Sequence, residues 1–226
     1  MNFILVHFKT TYTLPKLIDY YKDLDRMHAL MIEQLTGMYP DCTIHVVTNE
    51  QKQNTANIVY HYRDTDTNYA KLHMFGLLTE PAMYLDSDII LLRPWEERHL
   101  QAEGNFNLYQ KFDVGLPQGF PEQYKFMYDY PHHNSGMIWI PRPDPGISET
   151  LLAMATRFPV HDGGWVADEY PTNYFIYAMN WKMNLFPEVN AYRKSTKLPL
   201  RECQSIHYAG CKELFWDEYE LLKRSQ

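Results

Sequence analysis

Two carboxylates spaced Asp-x-Asp, Asp86 and Asp88 around Ser87, directly follow an apolar run, Ala82-Met83-Tyr84-Leu85. A second apolar run, Ile89-Ile90-Leu91-Leu92, comes after them and closes at Pro94. Short apolar runs between polar residues read as buried strands, so both acids sit at the mouth of one. Taking carboxylates out of water is costly, and two together demand a cation or strong hydrogen bonds. A hard divalent ion holding a substrate phosphate meets that demand, because such an ion takes one or two carboxylates and keeps positions for phosphate and water. An isolated Asp-x-Asp is also met as a pair of exposed loop acids; the flanking apolar runs and partners elsewhere in the chain favour the ion here.

The upstream elements can position that pair. Residues 3–8 read as a first strand that ends in a polar loop, Lys9-Thr10-Thr11-Tyr12-Thr13. Thr13 suits a helix cap with Pro15 in the first turn. Leu17, Tyr21, Leu24, His28, Met31 and Leu35 then recur at helical steps until Gly37. His28 lies in that stripe and reads as a packed helix histidine rather than a ligand. Residues 42–48 and 58–62 are strands rich in β-branched side chains. Residues 69–79 predict a helix with Leu72, Phe75 and Leu78 on one side and Lys71 in its first turn. Strand, helix, strand, strand, helix, strand is the order of an α/β sheet, whose ligands sit at the carboxyl ends of the strands. Asp86, Asp88 and the 10–12 loop all fall at such ends.

The second half is less regular. Residues 107–112 are a strand candidate, and 114–131, mixed with Gly, Pro and aromatics, predict a long loop or small helix. His132-His133-Asn134-Ser135-Gly136 leads into an apolar strand, 137–140, ended by Pro141. Asn is poorly favoured at a strand unless its side chain has a task. Ile147, Leu151, Met154 and Phe158 mark a helix, and 174–179 another. Residues 183–186 and 205–208 are late strands separated by a polar stretch whose Arg193, Lys194, Lys197 and Arg201 read as a solvated loop; 219–223 predict a short helix. No repeat or linker interrupts the chain, so one domain is expected.

Composition narrows the function classes. With 226 residues, 45% hydrophobic and 22% charged, the chain has an ordinary globular balance. A formal charge of -7 argues against a nucleic-acid partner, while a small phosphorylated ligand carried by a metal stays compatible. Cys42, Cys203 and Cys211 form an odd set without CxxC spacing, as expected of reduced thiols and a cytoplasmic location. The N-terminal apolar run is too short for a secretory signal and no run reaches membrane-spanning length, so a soluble protein without a membrane span is expected. Self-association into a homo-oligomer stays open.

Four motifs in order, Tyr84-Leu85-Asp86-Ser87-Asp88, Asn134-Ser135-Gly136, Asp168-Glu169 with Asn173, and His207-Tyr208 with Gly210 and Lys212, resemble family 8 glycosyltransferases such as glycogenin, galactinol synthase and bacterial lipopolysaccharide galactosyltransferases. The resemblance runs from the first strand to about Trp216. It implies an α/β GT-A fold, a single domain with a central, mostly parallel twisted sheet flanked by helices. Residues 1–95 would form a Rossmann-like nucleotide-binding half and 96–226 the donor-sugar and acceptor half. It further implies a UDP-sugar donor, manganese (or magnesium), and transfer of a hexose with retention of configuration.

Residue by residue, the resemblance assigns the metal to Asp86, Asp88 and His207, and the diphosphate to Gly210 and Lys212. Lys71 would reach the donor sugar or phosphate. Tyr12 would stack on uracil, with Thr10 at its edge. Ser87 would face the ribose, although a structural hydroxyl is an equal reading. Asn134 and Ser135 would line the donor sugar, Asp168 would hold its hydroxyls, and Glu169 would lie near the anomeric carbon. Glu169 stands where relatives often carry Gln or Asp, which leaves covalent attack and same-face transfer both open. An acidic pair at a helix N-terminus is the plainer reading of Asp168 and Glu169. Asp113 is a further candidate beside the sugar. His132 and His133 read as acceptor contacts or, more commonly, surface loop histidines. The family's Lys-Pro-Trp ending is absent, since Glu213 follows Lys212.

Two other functions fit less well. A nucleotidyltransferase that makes an activated sugar would carry a glycine-rich loop after the first strand, and residues 8–12 have no glycine. A non-catalytic nucleotide-sugar binder would have lost metal ligands or the acid pair. The acceptor, a glycan, protein or small molecule, is not specified by these motifs.

Overall fold

A computed structural model of the chain describes residues 1–9, 23–65, 67–100, 107–108, 133–156, 169, 171–174, 178, 186, 188–194 and 196–225. Strands β1 (Asn2–Val6), β2 (Thr43–Thr48), β3 (Ile58–Tyr62) and β4 (Ala82–Leu85) lie parallel in the order β3-β2-β1-β4. After β5 (Ile89–Leu91), described below, β6 (Asn107–Leu108) and β7 (Met137–Ile140) extend this sheet beyond β4, with β7 antiparallel to both neighbours. All four residues of β4 and of β7 are buried. Such unbroken apolar runs are what a strand covered on both faces requires.

Alternation along the strands builds two cores. Ile4, Val47, Tyr84, Ile138 and Ile140 face one side, where the 3₁₀ helix Thr67–Gly76 adds Ala70, Leu72, Met74 and Phe75. Phe3, Leu5, Ile44, Val46, Met83, Leu85 and Trp139 face the other, where helix α1 (Leu24–Met38) contributes Met31 and Leu35. The helical stripe expected from residue 24 onward is present, but α1 runs through Gly37 to Met38, and the Tyr39 amide closes it on the Leu35 carbonyl. Leu17 and Tyr21, like Thr13 and Pro15, lie outside the described residues.

The segment read as a helix over 69–79 starts earlier, stops at Gly76 and is 3₁₀ rather than α. Its carbonyls are taken by the later helix. Phe75 O accepts from Asp144 N at 2.8 Å, and Leu72 O from Ser148 Oγ at 2.5 Å. Following the short α2 (Glu97–Leu100), that later helix is α3 (Pro145–Ala155), capped by the Asp144 side chain with Pro145 in its first turn.

A second sheet, ordered β5-β9-β8, is formed by β5, β8 (Ala191–Tyr192) and β9 (Ser205–His207). β9 lies within the run read as a strand over 205–208, whereas β8 was not legible. Residue 186 belongs to no strand, and 183–185 lie outside the described residues, as do 109–131. The last helix, α4 (Phe215–Ser225), starts four residues before the predicted one and buries Phe215 with Met27, Ile206 and Tyr208. Residues 171–174 are helical, earlier than the start expected at 174. The three cysteines are free and buried, and among the described residues no helix is long and apolar enough to cross a membrane.

Candidate functional site

The Asp86-Ser87-Asp88 turn joins the two sheets, because β4 enters it from the large one and β5 leaves it into the small one. Asp86 N donates to Gly136 O at 2.7 Å, fixing the turn to the start of β7. β5 pairs antiparallel with β9 so that Ile89 lies opposite His207, and Tyr208 N donates to Asp88 O at 2.9 Å. The strand pairing thereby delivers a histidine from the end of the chain to the two aspartates. Ligand atoms of Asp86, Asp88 and His207 lie within 4.8 Å of one another, the only such group of three or more found among the described residues. His207 Nε2 is 3.2 Å from Asp88 Oδ1 and 3.9 Å from Asp86 Oδ2. Adjacent ligands of an octahedral ion bound at about 2.1 Å stand about 3 Å apart, so these atoms suit a divalent cation.

Two lysines face the carboxylates. Lys71 Nζ is 3.2 Å and 3.3 Å from the two oxygens of Asp86 and 3.4 Å from Ser135 Oγ. Lys212 Nζ pairs with Asp88 Oδ2. Burial alone would raise the Asp88 carboxyl; the Lys212 ammonium, then the His207 imidazole, reverse this and hold it well below the usual carboxylate range. Gly210, at φ 70°, adopts the left-handed conformation that returns the chain from β9 toward Lys212.

Asn134 links the start of β7 to Glu169. Its Oδ1 accepts from Gly136 N at 2.9 Å, and its Nδ2 donates to Glu169 Oε1 at 3.1 Å. Asn173 braces the same corner, bonding both backbone groups of His133 and the Glu169 carbonyl at 2.8–3.0 Å. His133 is therefore buried, not a surface loop histidine; its backbone is needed by Asn173. A side chain at Gly136 would collide with His207 Cε1 and come within 2.7 Å of Asn134 Oδ1 and 2.9 Å of Asp86 Oδ2. No local pattern marks the task of Gly136, because two of the atoms it clears, His207 Cε1 and Asp86 Oδ2, come from residues far along the chain.

Ser87 is buried and its Oγ lies 3.4 Å from His28 Nδ1. His28 packs inside the helix stripe as expected, and its ring also stacks on His7 at 4.3 Å. Burial, reinforced by the neighbouring His7 and Lys52, lowers His28 to about 3, so it is neutral near pH 7. Where the first loop leaves β1, Asn49 bonds both Lys9 N and Lys9 O at 2.9 Å, a brace with no sequence signal. Thr10, Tyr12, Asp113, His132 and Asp168 lie outside the described residues. Of the basic residues read as solvated, Lys194, Lys197 and Arg201 are exposed. Arg193 instead forks onto Glu218 of α4.

A mostly parallel sheet with an antiparallel extension, helices on both faces and an Asp-x-Asp turn at its carboxyl edge define the GT-A class of α/β fold. No family model and no curated protein matches the chain by sequence. Solved glycosyltransferase structures do match it in fold. An active-site mutant of LgtC is 14% identical at a TM-score of 0.60, over 100% of this chain and 96% of that one. The apo form of GlyE from Streptococcus pneumoniae TIGR4 is 12% identical at 0.62, covering 96% of this chain and 59% of GlyE. A glycosyltransferase involved in glycosylation of the major capsid of PBCV-1 is 12% identical at 0.56, over 95% and 98%.

Proposed function

We propose that this chain is a metal-dependent glycosyltransferase that moves a hexose from a UDP-sugar to a glycan, protein or small-molecule acceptor with retention of configuration. The observation that carries the reading is the convergence of Asp86, Asp88 and His207 at the carboxyl edge of a sheet shared with solved glycosyltransferases. LgtC, one of those neighbours, has been solved with donor and acceptor sugar analogues.

Asp86, Asp88 and His207 would hold manganese or magnesium, which neutralises a diphosphate and makes it a better leaving group. Lys212 adds a point charge beside that diphosphate, and the small Gly210 lets backbone approach it. Lys71, within reach of Ser135, places a second positive charge on the donor side. Asn134, its carbonyl oxygen fixed by Gly136 N, aims its amide at Glu169 and orients that carboxylate beside the sugar. Glu169 then stabilises positive charge developing at the anomeric carbon or attacks it, and both routes retain configuration. Asp168 takes sugar hydroxyls, Ser87 the ribose, and Thr10 and Tyr12 the uracil, so residues 1–95 hold the nucleoside and 96–226 the sugar and acceptor, with the diphosphate between them. Free, buried cysteines support a reducing, cytoplasmic setting.

The test is a mass-spectrometric donor screen with manganese, following nucleoside diphosphate and released sugar. Asp88→Asn and His207→Ala are expected to abolish turnover and UDP binding while remaining folded by circular dichroism. Full turnover by both variants in metal-stripped buffer refutes the reading.

A further inference from the structure

We propose that Tyr84 is a positioning residue for the metal centre, its phenol holding Asp86 so that one oxygen, Oδ2, faces His207 and Asp88. The inference rests on the reading of Asp86, Asp88 and His207 as a metal centre. Tyr84 and Asp86 are two residues apart, so they project from the same side of the strand and its continuation. The Tyr84 ring is 1% exposed, among Ile4, Ile138 and Phe75 in the core over that face. Its register partners are Ile4 on β1 and Ile138 on β7, which fix the ring on both sides. From there Tyr84 Oη donates to Asp86 Oδ1, a hydroxyl-to-carboxylate bond of the charge-assisted kind.

Lys71 cannot perform this selection. Its Nζ lies 3.2 Å from Oδ1 and 3.3 Å from Oδ2, so it attracts both oxygens alike and leaves the carboxylate free to rotate between them. The phenol, by contrast, donates to Oδ1. Oδ2 is then the oxygen left toward His207 Nε2, 3.9 Å away. A carboxylate locked in this way meets an ion without first losing rotational freedom, and groups that orient metal ligands are typically worth about 10- to 100-fold in metal affinity.

Tyr84→Phe keeps every ring carbon in the core and removes only the donor, with Lys71 still on Asp86. The full chain is titrated with manganese alone, following the free ion by electron paramagnetic resonance, and melted without metal. Expected is a manganese affinity about 10- to 100-fold weaker than wild type, with a cooperative metal-free melt. Ile4→Val, which trims the same core beside Tyr84, is expected to lower the melting temperature and leave manganese affinity unchanged. Wild-type affinity in Tyr84→Phe, together with loss in Asp86→Asn, overturns the role of Tyr84 while sparing the metal centre. Equal weakening in Ile4→Val assigns the effect to core packing and overturns it as well. Equal binding by wild type, Asp86→Asn and Asp88→Asn removes the metal centre itself, and this inference with it.

Discussion

Gly136→Ala tests the assembly of the site at its tightest point. The added methyl would overlap His207 Cε1 and stand 2.7 Å from Asn134 Oδ1 and 2.9 Å from Asp86 Oδ2, whereas relaxed contacts lie at about 3.5–4.0 Å. Each neighbour must therefore yield by roughly 0.6 Å or more. All three are side-chain atoms, and the fully buried His207 and nearly buried Asn134 have little room to move. The fold is expected to survive with an overpacking cost of about 1–3 kcal/mol. The site fares worse: ligand displacements approaching 1 Å cost on the order of 100-fold in rate, and disturbed ligand orientation about 10- to 100-fold in metal affinity. Manganese titration, donor turnover and a denaturant melt on one preparation separate the two effects. Gly76→Ala is the matched control. There the new methyl would stand 2.5 Å from Pro145 Cα, an unyielding backbone atom at the start of α3, and no group of the Asp86, Asp88 and His207 cluster is among its nearest neighbours. It is expected to cost about 1–3 kcal/mol of stability and leave manganese affinity alone. Wild-type manganese affinity in Gly136→Ala refutes the placement of Gly136 between His207 and Asp86.

His28 makes stability depend on pH. Its folded value, about 3, lies below the ordinary 6.5, because burial, then His7 and Lys52, disfavour the charged ring. Between those values the unfolded chain binds a proton that the folded chain refuses, so this contribution is complete above pH 6.5 and is lost on acidification toward 3. The loss approaches about 1.4 kcal/mol per pH unit and at most about 5 kcal/mol in all. Denaturant midpoints at pH 7, 6 and 5 are expected to fall less steeply for His28→Gln than for wild type; parallel slopes would contradict this. Glu218→Gln weakens the clamp in which Arg193 bonds Glu218 at 2.6–2.9 Å and Tyr208 Oη donates to it at 2.8 Å. A loss of about 2 kcal/mol is expected from charge-assisted bonds of this kind, measured by urea unfolding, and an unchanged midpoint would show that the clamp is energetically idle.

What was legible in the sequence was whatever burial on both faces writes into consecutive residues. Ala82–Leu85 and Met137–Ile140 begin and end where their apolar runs do. The stripe of α1 was legible for the same reason at helical spacing. The 3₁₀ character of Thr67–Gly76 was not, because it follows from carbonyls claimed by Asp144 and Ser148 well over sixty residues later. β8 is two residues long, below the length at which alternation carries a signal. Arg193 reads as a solvated charge until α4 brings Glu218 against it.

The site divides along the same line. Asp86 and Asp88 announce themselves because two acids after a buried strand are costly without a purpose. The geometry that makes them usable comes from pairings no local pattern records. Ile89 opposite His207 brings that imidazole to the two aspartates, and Asp86 N on Gly136 O fixes the turn against β7. Both pairings meet at the turn between the sheets, so a change of register in either sheet would separate Asp86, Asp88 and His207 and, in the same step, turn core side chains to the wrong face. Core substitutions far from the turn can lower the melting point while the three ligand atoms stay together.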